Sequence, residues 1–115
     1  MCGRYTQTTD LETLQRRFEF SAQGVALDTR YNLAPGQEAP IVVKEDERVL
    51  RMMRWGLVPH WAKEDSISYK LINARAETIT QKPSFKESFK MRRCLVLADG
   101  FYEWRKQGKR TIRFP

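Results

Sequence analysis

A chain of 115 residues can close one hydrophobic core but not two, and 41% hydrophobic with 30% charged residues exclude a disordered polyelectrolyte. No stretch reaches the length of a membrane span, and Met1-Cys2-Gly3-Arg4-Tyr5-Thr6 leads into polar residues rather than an apolar signal core, so a cytoplasmic protein without membrane contact is expected. The net charge of +7 is uneven: residues 1–81 carry 11 Lys+Arg against 11 Asp+Glu, whereas residues 82–115 carry 10 against 3.

That basic third also holds Phe85, Phe89, Phe101, Tyr102 and Trp104. Cations beside rings suit a phosphate-backbone partner, and they equally suit a solvated face. The two cysteines, Cys2 and Cys94, are too few for a disulfide framework and lack metal-site spacing, so neither a metal nor a cofactor is expected.

In chain order, Thr9-Asp10-Leu11-Glu12 fits a capping box, and Leu11, Leu14 and Phe18 at helical spacing predict a helix over 10–18. Tyr31-Asn32-Leu33-Ala34-Pro35-Gly36 reads as an irregular segment ending in a turn. Residues 39–44 and 48–55 are β-prone runs around Glu45-Asp46-Glu47, which predicts a hairpin with a charged tip. Ser84 with Glu87 gives a second capping box and a short helix with Phe85 and Phe89 on one face. The apolar run 94–98 predicts a buried strand. Residues 101–105 and 110–114, flanking Lys106-Gln107-Gly108-Lys109, predict a last hairpin whose edge at 110–115 needs a cover, such as a second copy in a homodimer.

Cys2 carries the most chemical information. Its small side chain permits removal of Met1, leaving an amine and a thiol on one residue. Both are nucleophiles near neutral pH. With an aldehyde the amine forms a Schiff base and the thiolate closes a five-membered thiazolidine, an intramolecular step. Taken alone, Cys2 reads first as an incidental cysteine near a terminus.

Other residues stay open in the same way. Glu103, between Tyr102 and Trp104, is a partly buried carboxylate with raised proton affinity or a partner of Arg105. Asn73 before Ala74-Arg75-Ala76-Glu77 fits a helix cap, Trp55 and Trp61 fit packing roles, and Cys94 in its apolar run reads as an inert buried thiol.

Five motifs then occur in order. They are Met1-Cys2-Gly3-Arg4-Tyr5, Tyr31-Asn32-Leu33-Ala34-Pro35, Arg54-Trp55-Gly56-Leu57-Val58-Pro59, Asn73-Ala74-Arg75-Ala76-Glu77, and Arg93-Cys94-Leu95-Val96 with Gly100-Phe101-Tyr102-Glu103-Trp104. This sequence resembles the SRAP family (SOS-response-associated peptidase) from residue 2 to the end. The resemblance implies an α+β fold dominated by a curved, barrel-like, mainly antiparallel sheet with short peripheral helices. It also implies an abasic-site-reactive protein that forms a covalent thiazolidine crosslink to single-stranded DNA, at work in the cytoplasm on the nucleoid.

By motif position, Cys2 is the implied nucleophile, Asn73 orients the cysteine or the opened sugar, and Glu103 is the acid/base. Arg4, Trp55 and Arg75 match positions beside the DNA groove, where guanidinium forks suit phosphates and a ring suits stacking. Family members are longer, and their second half carries a histidine motif absent here, so residues 1–115 read as the N-terminal part of a single SRAP domain. His60, in Pro59-His60-Trp61, does not take over that histidine's role. Two other readings remain: a non-covalent single-stranded DNA-binding module, and a thiol autopeptidase using Cys2 with His60.

Overall fold

The structure, a computed structural model, describes residues 2–107 and 110–114, with the side chains of residues 2–105. Three small antiparallel sheets and two short helices make an α+β architecture, as expected. The longest element pair is the hairpin of β3 (Glu38–Lys44) and β4 (Arg48–Arg54), paired without interruption from Glu38↔Arg54 to Lys44↔Arg48. Its tip is fixed by Arg51, whose guanidinium reaches both carboxylate oxygens of Glu45 at 2.9 and 3.0 Å. This pair is open to solvent and contributes little to stability.

One face of the hairpin builds the main core. Val42 and Leu50 are buried with Leu14, Phe20 and Leu97. Leu14 belongs to helix α1 (Leu11–Phe18), which lays Leu11, Leu14 and Phe18 towards this cluster as the helical spacing requires. The cap is displaced by one residue from the sequence reading. Asp10, not Thr9, accepts from the Thr13 amide at 3.0 Å. Arg48 donates to the Phe18 carbonyl at 2.8 Å, satisfying one of the helix's last acceptors, and the chain then runs along β4 through Ser21.

A second cluster lies under the amino terminus. Strand β1 (Tyr5–Gln7) is central in a sheet ordered β2-β1-β6, between β2 (Arg30–Leu33) and β6 (Gly100–Phe101). Tyr5, Leu33 and Ala39 are buried there, with Cys2 and Trp55 packed against them. At Gly100 a Cβ would come within 2.9 Å of Thr6 Oγ1 and would push that hydroxyl from its place.

Before that glycine, Asp99 gathers the turn between β1 and α1. Its carboxylate accepts from the Thr6 hydroxyl at 2.7 Å, the Thr8 amide and hydroxyl at 2.6 and 2.9 Å, and the Thr9 amide and hydroxyl, both at 2.8 Å. Desolvation opposes its ionisation, but the hydrogen bonds from Thr6, Thr8 and Thr9 outweigh that and hold it far below the ordinary carboxylate range. A depressed folded-state value means that the stabilisation is complete above about pH 4, the ordinary aspartate value, and drains away as the pH falls below it. Asp99→Asn is therefore expected to flatten the acid limb of stability between pH 4 and lower values, which thermal melts across that range would register.

Several expectations are corrected. Of the apolar run 94–98, only Leu95–Val96 form a strand, β5, at the edge of the sheet ordered β4-β3-β5. Leu95 and Val96 are 47% and 56% exposed, and Leu97 alone is buried, because only one side of this run meets the core. Ser84 caps nothing: helix α2 (Lys86–Met91) starts from Phe85 without a side-chain cap. Residues 76–81 form successive turns, so Asn73 precedes no helix.

Phe101 belongs to β6, and the last hairpin pairs β7 (Glu103–Gln107) with β8 (Arg110–Phe114), Gln107 facing Arg110. The predicted connection is thus shorter, with Lys106 and Gln107 in the strand, while Gly108, Lys109 and Pro115 lie outside the described residues. No sheet closes among the described residues, so the barrel-like form expected from the resemblance is represented by three open sheets.

Candidate active site

Cys2 stands three residues before the central strand β1, half-buried against Tyr5, Leu33 and Ala39. Its thiol faces the Arg4 carbonyl at 3.7 Å, and its own carbonyl accepts a 2.7 Å hydrogen bond from the Asn73 side-chain amide. Seventy-one positions separate these two residues.

A chain of local contacts makes them neighbours. Gly56 has φ +126°, and a Cβ there would lie 2.9 Å from the Ser68 carbonyl oxygen, so only glycine lets the two backbones approach this closely. That approach allows Leu57 to donate to the Leu71 carbonyl at 3.0 Å, and the Trp55 indole N–H to donate to the Ile72 carbonyl at 2.8 Å. Asn73 follows at once, delivered to Cys2. The Trp55 ring also sits 5.4 Å from that of Tyr5, tilted by 55°, so the indole braces the floor beneath Cys2.

These residues open into a cleft of 1180 Å³. Four of the six site residues expected from the resemblance line it: Cys2, Trp55, Asn73 and Glu103. Arg4 does not; its guanidinium is held by the Asn32 side-chain oxygen at 3.0 Å. Arg75 is exposed and away from the cleft lining. Glu103 lines the cleft at the start of β7 and is exposed, where the sequence suggested partial burial.

Three cations that the sequence reading did not single out join the lining: Arg54, Arg92 and Arg93. Arg54 directly precedes Trp55, and Arg92 and Arg93 follow α2 in the basic third of the chain, which was the available signal. Arg93 lies over the Phe89 ring at 4.9 Å, a cation–π contact that orients it along the wall. Cys94 also lines the cleft; it is exposed instead of buried, although partial desolvation by the wall still pushes its thiol pKa up. Burial pushes the Tyr5 phenol up too, against the field of Arg30, so Tyr5 enters the site as a neutral ring.

His60 occupies a separate hollow of 310 Å³ with Trp61 and Pro83, where its Nδ1 lies 3.8 Å from Glu87. It does not line the cleft that holds Cys2. Among the described residues no helix is long and apolar enough to cross a membrane, and no three His, Cys, Asp or Glu side chains gather where a metal ion could be held.

Known proteins share both the sequence and the fold. The profile of the family described as "SOS response associated peptidase (SRAP)" matches residues 1–115. The chain is 39% identical over 115 residues to "Abasic site processing protein YoqW" of Bacillus subtilis (strain 168), covering 96% of this chain and 51% of that protein. It is 43% identical over 102 residues to "Abasic site processing protein HMCES" of Xenopus tropicalis, covering 74% of this chain and 30% of the relative. A solved structure from Bacteroides thetaiotaomicron superposes with a TM-score of 0.82 at 27% identity, over 97% of this chain and 52% of the other. The chain thus spans about half the length of the Bacillus relative. With a family match along its whole length and four of the five sequence motifs contributing residues to one cleft, the chain belongs to the SRAP family.

Proposed function

We propose that this chain, once Met1 is removed, recognises abasic sites in single-stranded DNA and traps them covalently through Cys2. The observation that carries the reading is the 2.7 Å bond from Asn73 to the Cys2 carbonyl, which holds the terminal residue at a cleft lined by arginines. The names of the relatives, abasic site processing proteins, supply the matching substrate.

In the proposed reaction the Cys2 amine adds to the C1′ aldehyde of the ring-opened sugar and water leaves, giving an imine. The thiolate then adds to the imine carbon, and the nitrogen takes up a proton as the thiazolidine closes. Amine and thiol belong to one residue, so the second addition is intramolecular and fast. Asn73 orients Cys2 through its carbonyl. Glu103, in the cleft lining, exchanges protons with the amine and the departing water. Trp55 offers a ring to the base beside the gap, Arg54, Arg92 and Arg93 engage the phosphates within the cleft, and Arg4 and Arg75 serve the strand on either side. Such a substrate puts the work in the cytoplasm, at the nucleoid.

The test is an intact mass of Met1-free protein mixed with a single-stranded oligonucleotide bearing one abasic site, beside the undamaged oligonucleotide. A species equal to protein plus DNA less one water, formed only with damage, is the expected result. Equal affinity for both oligonucleotides without any such species would leave the non-covalent binding module as the function. A thiol autopeptidase relying on His60 has no support from the geometry, because His60 faces Glu87 in its own hollow.

The chain is further proposed to be the N-terminal part of one SRAP domain. Phe101 and Trp104, at 55% and 57% exposure, join Leu95 and Val96 as large apolar side chains that a folded domain would cover. A polypeptide matching the second half of the Bacillus relative is expected to bind this chain one to one and to raise its melting temperature. Sedimentation showing instead a stable homodimer of the chain alone would make a second copy the cover for the edge at 110–114.

A further inference from the structure

Asp99 lines the cleft but takes no part in the chemistry just described, yet no other side chain of the described residues gathers so many bonds from one distant segment. Every donor comes from β1 or the stretch that links it to α1: Thr6, Thr8 and Thr9, lying 90 to 93 positions away. Its own amide donates to the Thr6 carbonyl at 3.0 Å. Four of the five donors converge on one carboxylate oxygen and the Thr6 hydroxyl meets the other, so both oxygens are engaged and the group is fixed in rotation as well as in place.

The segment so clamped is short, and its pairing with β6 is brief. Strand β1 has three residues, and it meets β6 at only two positions, Tyr5↔Phe101 and Thr6↔Gly100. A slip of one residue in such a pairing turns every side chain to the opposite face. Cys2 leads into β1, and Glu103 follows β6 after the single residue Tyr102, whose amide donates to the Arg4 carbonyl at 3.0 Å. Cys2 and Glu103 both line the cleft, so the register of β1 on β6 sets how the two stand relative to each other.

We infer that Asp99 is a positioning residue: by binding Thr6, Thr8 and Thr9 it locks the register of β1 against β6 and so aligns Cys2 with Glu103. The inference rests on the abasic-site reading for its kinetic consequence, though not for its structural one. Asparagine in place of Asp99 keeps an oxygen where four of the five donors meet and turns its amide towards the Thr6 hydroxyl, which can accept. Alanine keeps nothing.

The experiment uses the full Met1-free chain with a single-stranded abasic oligonucleotide, comparing wild type, Asp99→Ala and Asp99→Asn. The maximal rate of adduct formation should fall at least tenfold in Asp99→Ala, with the half-saturating DNA concentration changed less than twofold, and Asp99→Asn should recover to within threefold of wild type. In the same proteins, NMR cross-strand contacts of Tyr5 with Phe101 should vanish in Asp99→Ala while those of Ile41 with Arg51 persist. A maximal rate within twofold of wild type, or intact Tyr5–Phe101 contacts in Asp99→Ala, overturns the assignment.

If wild type itself forms no adduct, the abasic-site reading has failed, and the cross-strand contacts still decide the role of Asp99. Should Asp99→Ala not fold, the double variant Thr8→Ala, Thr9→Ala removes two hydroxyl donors and leaves the backbone ones. It is expected to lower the rate without loss of fold, and an unchanged rate there would equally overturn the proposal.

Discussion

Cys2→Ser is expected to abolish the stable adduct, lowering its yield by at least about 1000-fold, because the hydroxyl replaces an intramolecular thiolate addition with a far poorer one. The change is nearly isosteric, and the serine hydroxyl can still face the Arg4 carbonyl that the thiol meets at 3.7 Å. The amine remains, so the variant should still form a reversible Schiff base that borohydride traps. This sets apart three outcomes. A borohydride-dependent adduct supports the two-step route, unaided persistence of the adduct removes Cys2's thiol from it, and salt-sensitive binding without any adduct from either protein leaves a binding module. Retention of Met1 should likewise abolish the stable adduct, since the acylated Cys2 nitrogen forms no imine and no thiazolidine can close on it.

The second large effect concerns the core. Leu50 is fully buried, with Leu14, Phe20, Val42 and Leu97 around it, at the junction of hairpin, helix and β5 approach. Leu50→Ala leaves a cavity between elements that cannot all close in, and a loss of about 3 kcal/mol is expected. Against a total of about 5–15 kcal/mol for a domain, that is a large share, visible as a fall of roughly 10 °C in melting temperature. Met91→Ala, at a 68% exposed side chain, is the control and should change stability by less than about 0.5 kcal/mol.

The sequence was most legible where the structure is local. The α1 helix and the β3–β4 hairpin follow from periodicity and a charged turn, with their ends displaced by about one residue. The cap of α1 was misread because Thr9 is already engaged by Asp99, 90 positions later, leaving Asp10 to serve the helix. An apolar run looks the same whether one face or both are covered, and so residues 94–98 were read as more buried than they are. Within the site, the resemblance named Cys2, Asn73, Trp55 and Glu103, and these share one cleft. Nothing in the spacing of Cys2 and Asn73 announces their contact, which depends on the close approach of Gly56 to Ser68. The arginines show the same limit from the other side: Arg4 and Arg75 lie outside the cleft, while Arg54, Arg92 and Arg93 enter it through the paths of β4 and α2.

The central place of β1 between β2 and β6 also bears on when the proposed nucleophile takes shape during synthesis. Under the proposed function, in which Cys2 becomes the amino terminus, Cys2 is made long before the strand that completes its sheet, which begins at Gly100. At about 5–20 residues per second, some 5 to 20 seconds pass before β6 has even been made. Closing a loop of that span is also the slow part of folding, since its entropy is lost before the short β1–β6 contact returns anything. Throughout that interval the segment around Cys2 has no finished sheet around it and is open to the removal of Met1 that the proposed function requires. Early exposure and late ordering thus follow from one topology, which gives processing a window before the terminal cysteine is enclosed.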